Sequence, residues 1–106
     1  MTLKIYSETL VMCREVAAVV RVIEKRDLDL ARQLRRAASS VVLNTAEGAY
    51  STKGHERARW QTALGSAAEV RAALEVAEAF GLVVAVDGAL RGRLEQIIAT
   101  LWKLTR

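Results

Sequence analysis

Four polar residues in the middle of the chain have the types and spacing for chemistry. Asn44 and Glu47 lie one helical turn apart, as do Ser66 and Glu69, so each pair shares a helix face. Two carboxylates brought together across a helix pair can divide acid and base roles, or help to ligate a metal ion. The same residues can instead form a hydrogen-bonded clamp that fixes the register of two helices. The clamp would use Ser40, Asn44, Glu47 and Gly48 from the first segment, and Ser66 and Glu69 from the second. The composition favours the clamp. A di-metal bundle takes four carboxylates and paired Glu-x-x-His motifs, and this chain has one histidine, His55, outside any such motif. Cys13 is the only cysteine, so neither a disulfide nor a Cys-based zinc site can form within the chain. No phosphate-cradling glycine loop and no nucleophile elbow is present. The expectation is a protein without catalytic residues, metal or cofactor.

Charge points in another direction. The formal net charge is +4, which permits a nucleic-acid partner without requiring one. Arg32, Arg35 and Arg36 form one basic cluster. Lys53, His55, Arg57 and Arg59 form a second, and Arg91 and Arg93 a third. These nine are the candidate contacts to RNA or DNA phosphates. Against them, Asp27, Asp29 and Glu47 balance the second helix, and the few aromatic residues are not interleaved with the basic ones. A solvated charged surface is the competing reading.

The elements that must position these residues are helices. Proline is absent from the 106 residues, hydrophobic residues make up 52% and charged residues 26%, a composition that excludes disorder and favours long helices. Helix 1 is expected over about 7–25, with Tyr6, Leu10, Cys13, Ala17 and Val20 as its central stripe and Met12, Val16, Val19 and Ile23 beside it. Val11, Ala18 and Val22 fall on its charged side and suggest a second packing surface. Helix 2 is expected over about 28–49, capped by Asp27 or Asp29 and burying Leu30, Leu34, Ala37, Ala38, Val41 and Thr45. Helix 3 is expected over about 52–80, capped by Ser51 or Thr52 and closed at Gly81. It is apolar almost all round and so must be covered on more than one side. Gly65 and the neighbouring alanines would let helices 2 and 3 approach closely. Helix 4 is expected over about 88–104, capped by Asp87, with Leu90, Leu94, Ile97, Leu101 and Leu104 as its stripe. Gly88 and Gly92 have a spacing that hints weakly at close packing. Connections of a few residues make neighbouring helices antiparallel. The result is a single all-α domain over residues 1–106, an antiparallel up-down-up-down four-helix bundle. Neither a signal-peptide pattern nor an uncharged stretch near the ~20 residues of a membrane span is seen, so a cytoplasmic protein with no membrane partner is expected.

The motifs also carry a resemblance. Ser40, Asn44, Ala46, Glu47 and Gly48, then Ser51 and Lys53, then Gly65, Ser66 and Glu69 resemble the pattern S-x-x-x-N-x-A-E-G, a Ser/Thr-Lys loop and G-S-x-x-E. This is the pattern of the four helix bundle proteins encoded in intervening sequences of bacterial 23S ribosomal RNA. The chain departs from it at Thr45, where isoleucine is usual, and at Trp60-Gln61, where Phe-Leu is usual. Gly54 replaces a helix former, and Phe80-Gly81-Leu82 stands in place of the Leu-Gly pair that closes helix 3. The resemblance implies a ring-shaped homo-oligomer, a pentamer, with a basic surface. A distant branch, the accessory protein of diversity-generating retroelements, binds nucleic acid and a reverse transcriptase. Two functions follow as alternatives: an oligomeric protein that binds structured RNA or other nucleic acid, and a protein-interaction scaffold that binds none.

Overall fold

Two aspartates and two glycines set half of the helix boundaries. The computed structural model describes residues 2–52 and 54–106. Among them are four helices and no strand: α1 (Thr2–Ile23), α2 (Leu28–Tyr50), α3 (Glu56–Ala79) and α4 (Gly88–Thr105). The Asp27 carboxylate accepts from the Leu30 N–H at 2.9 Å and starts α2. That of Asp87 accepts from the Ala89 N–H at 3.0 Å and starts α4. Each aspartate satisfies a donor that the first helical turn leaves without an intrahelical acceptor. Gly81, at φ +71°, closes α3. Its N–H donates to the Glu78 carbonyl and that of Leu82 to the Ala77 carbonyl, the paired bonds of a Schellman cap.

Helix 3 starts later than expected, at Glu56 rather than near residue 52. Gly54 adopts φ +103°, a left-handed conformation that no α-helix continues through. Ser51 therefore does not cap α3; its hydroxyl donates back to the Glu47 carbonyl at 2.5 Å. Thr52 offers only its carbonyl, to the His55 N–H. His55 takes the cap position without a side-chain bond.

Consecutive helices pack on one another and α4 returns to pack on α1; the α2–α3 contact is the most extensive and α1–α4 the least. The bundle is elongated, 44 × 23 × 20 Å. Leu90, Leu94, Ile97 and Leu101 of α4 are buried as expected, with Leu104 at the margin. So are all six expected core residues of α2, Leu30, Leu34, Ala37, Ala38, Val41 and Thr45. α1 is turned from expectation. Its buried line is Ile5, Thr9, Met12, Val16, Val20 and Ile23, while Tyr6, Leu10, Cys13 and Ala17 are only half-buried. Thr9 can occupy the core because its hydroxyl donates to the Tyr6 carbonyl at 2.6 Å.

The close approach of α2 and α3 occurs at a different glycine from the one expected. A Cβ at Gly65 would meet nothing within 4 Å, and the same is true at Gly88 and Gly92. A Cβ at Gly48 would overlap the indole of Trp60. Trp60 lies flat on the α2 backbone there and is itself buried.

Candidate nucleic-acid interface

The polar clamp between α2 and α3 is real but shorter than the motif suggests. The Ser40 and Ser66 hydroxyls bond at 2.7 Å, and Asn44 Nδ2 donates to both the carbonyl and the hydroxyl of Ser40, at 3.0 and 3.1 Å. Glu47 points away from this cluster. Its carboxylate is exposed and pairs with Arg59 Nε of α3 at 3.3 Å. Glu69 is exposed and makes no side-chain hydrogen bond among the described residues. The two carboxylates are thus not gathered with the serines, and Gly48 serves the Trp60 contact rather than the clamp. Among the described residues no group of three or more His, Cys, Asp or Glu is placed to hold a metal ion.

Among the described residues two buried side-chain polar atoms have no partner, Thr45 Oγ1 and Trp60 Nε1. They sit at two of the positions where the sequence departs from the pattern it resembles, threonine for isoleucine and tryptophan for phenylalanine. Each substitution brings one polar atom into an otherwise apolar place.

The nine candidate cations fall into two kinds. Arg93 Nε and Nη1 reach across from α4 to Glu15 at 2.7 Å and Glu8 at 2.9 Å on α1; these bonds raise the arginine's pKa further, Glu15 contributing most. Arg91 pairs with Glu78, whose carboxyl is held below its ordinary range by that arginine and by the Val86 N–H. Arg59 is taken by Glu47. Arg57 Nε donates to the Thr105 carbonyl at 2.6 Å, tying the start of α3 to the end of α4. His55 is exposed near the same end, and Lys53 lies outside the described residues. The five described residues of this group do not form one surface.

Arg32, Arg35 and Arg36 are the other kind. All three are exposed on α2 and none makes an ion pair among the described residues. Asp27 is occupied at the helix cap. Glu47 is eleven residues from Arg36, about 16 Å along the axis at 1.5 Å per residue. With the Asp27 cap counted, α2 has zero net charge: its three arginines lie in the first half beside Asp27 and Asp29, and Glu47 stands at the far end against Arg59. Arg35 borders a groove between α1 and α2 lined by Cys13, Val16, Ala17 and Ala38, and Arg21 and Glu24 of α1 border the same groove. Arg21 lies on the charged side of α1. Nothing in the sequence says which neighbour that side faces. Cys13 at the groove is half-buried; its thiol lies 3.5 Å from the Ala38 carbonyl, and burial pushes its pKa up, away from the reactive thiolate.

The helices and core define an all-α, four-helix bundle protein whose unpaired arginine cluster forms a basic face on α2. The chain belongs to the 23S rRNA-intervening sequence protein family, whose family model matches residues 1–103. Comparison with curated proteins and with solved structures gives no match. No helix among the described residues is long and apolar enough to cross a membrane.

Proposed function

We propose that this chain is a non-enzymatic, cytoplasmic RNA-binding protein that works as a homo-oligomeric ring of five up-down-up-down bundles. The observation that carries the RNA reading is the segregation of cations. Cross-helix carboxylates occupy Arg59, Arg91 and Arg93, whereas Arg32, Arg35 and Arg36 project together without a partner. Unpaired, solvent-facing arginines are the groups that phosphate can engage without first breaking an ion pair. A ring would repeat the cluster once per subunit, so weak phosphate contacts would add through multivalency. The up-down order is supported by the register of contacts: Ser40 meets Ser66 while Glu47 meets Arg59, and Arg71 meets Glu95 while Glu78 meets Arg91. In each helix pair, moving forward along one helix moves backward along its neighbour.

A gel-shift titration with a structured RNA tests the reading. At about 50 mM salt the RNA should shift, and it should be mostly released several-fold above that, because counterion release dominates phosphate binding. Charge reversal of Arg32 and Arg36 to Glu should abolish most binding without changing the oligomer. A parent protein that binds neither RNA nor DNA at low salt would leave the scaffold reading in its place. That second reading has its own support in the exposed apolar residues on α1 and α3.

A further inference from the structure

Two exposed apolar lines and two unpaired charges belong neither to the core nor to the basic face. On α1, Val11, Arg14, Ala18 and Val22 follow at spacings of three and four, so they lie along one line of the helix. Val11 is half-buried and the other three are exposed. Ala18 and Val22 share an apolar groove with Val84 of the α3–α4 connection, a residue fully open to solvent. On α3, Gly65, Glu69, Ala72, Val76 and Ala79 form a corresponding line, every member exposed, ending beside Phe80 at 69% exposure.

The bundle itself accounts for neither line. Gly65 sits in the middle of α3, where glycine weakens a helix relative to alanine, and nothing lies within 4 Å of the Cβ it lacks. A glycine there serves no contact inside the chain. Glu69 and Arg14 each make no side-chain hydrogen bond or ion pair among the described residues. Each is the single charge set within its apolar line, and the two charges are opposite.

We propose that the α1 line of one copy packs on the α3 line of a second copy, with Arg14 paired to Glu69 across the contact. This rests on the homo-oligomer reading and adds the surface that would build it. Branched side chains on α1 would form a ridge, and the Gly65–Ala72–Ala79 strip offers the shallow surface that lets a second helix come close. Apolar lines of this kind on a free surface mark interaction sites. The reciprocal charges select a second copy of this chain over an unrelated partner, since each line carries the complement of the other. The contact joins two different surfaces, so it is heterologous and generates a closed ring when the rotation per subunit allows.

Light scattering with mass determination at micromolar concentration tests it on four proteins: the parent, Arg14→Glu, Glu69→Arg and the double swap. The parent should be an oligomer. Each single variant should fall toward the 11.6 kDa monomer, and the double swap should recover the parent mass. Helical circular dichroism should be unchanged throughout, because both positions are exposed. Gly65→Trp, which adds bulk only on the outer face, should also dissociate the assembly. A parent oligomer whose mass survives all the single changes would overturn this interface and leave the oligomer standing. Dissociation in the singles without recovery in the double swap would overturn the Arg14–Glu69 pairing. A monomeric parent would overturn the oligomer reading and this surface together.

Discussion

The α2–α3 pair and the α1–α4 seam close the same bundle by different means. Between α2 and α3 the contact residues are small. Ala37 on one side and Ala63, Ala67 and Ala73 on the other are buried, and Gly48 admits the Trp60 ring directly onto the helix backbone. Short side chains bring helix axes together, so this is where the structure is most densely joined. Between α1 and α4 the contact is the least extensive. There a half-exposed arginine, Arg93, holds two α1 carboxylates one after the other. The first joint depends mainly on shape, with the exposed Glu47–Arg59 pair at its edge. The second depends on charge and is open to screening.

Substitutions at the two joints should separate these mechanisms. The largest loss is expected for Gly48→Ala, whose new methyl has no room beside Trp60. Overpacking of this kind costs about 1–3 kcal/mol, and the loss in thermal stability should be the same at low and high salt. Thr45→Val should move the other way, raising stability by about 1 kcal/mol, because it removes a buried hydroxyl without a partner at nearly constant shape. A fall in Tm would mean that the hydroxyl is satisfied in solution by a buried water. The smallest effect is expected for Arg93→Ala, which leaves Glu8 and Glu15, two turns apart on α1, without their shared cation at the seam. Its Tm should lie below the parent's at low salt, and the gap should narrow as salt screens the two carboxylates. A gap that holds at high salt would show that the arginine's stem, rather than its charge, closes the seam.

The same contrast explains what could be read from the sequence. The α4 line and the α2 core were legible because their apolar residues recur at three and four with charges opposite, which leaves one orientation open. α1 carries apolar residues on nearly every side, so its period fits more than one rotation. The buried Thr9 that decides between them looks like a surface residue until its bond to the Tyr6 carbonyl is seen. The Asn44–Glu47 and Ser66–Glu69 pairs were visible as motifs, yet one-turn spacing says only that two residues share a face. It does not say that the face is inward, and Glu47 and Glu69 face outward. Gly48 and Gly65 look alike in sequence; only the position of Trp60 distinguishes the glycine that is filled from the one that is open. Arg93 illustrates the limit for charge: its partners lie 78 and 85 residues away. Composition counts such a cation as free, whereas the fold removes it from the surface available to a ligand.

That distinction between paired and free arginines is the centre of the account, and the salt dependence of RNA affinity measures it most directly. The slope of log Kd against log salt reports how many phosphate contacts a protein makes. Replacing Arg32 and Arg36 with Gln should flatten the slope by roughly two contacts and weaken binding. Replacing Arg71 and Arg91, which are held by Glu95 and Glu78, with Gln should leave the slope unchanged. Equal slopes for the parent and the Arg32/Arg36 variant, or a flattened slope for the Arg71/Arg91 variant, would contradict the assignment of the RNA-binding face to α2.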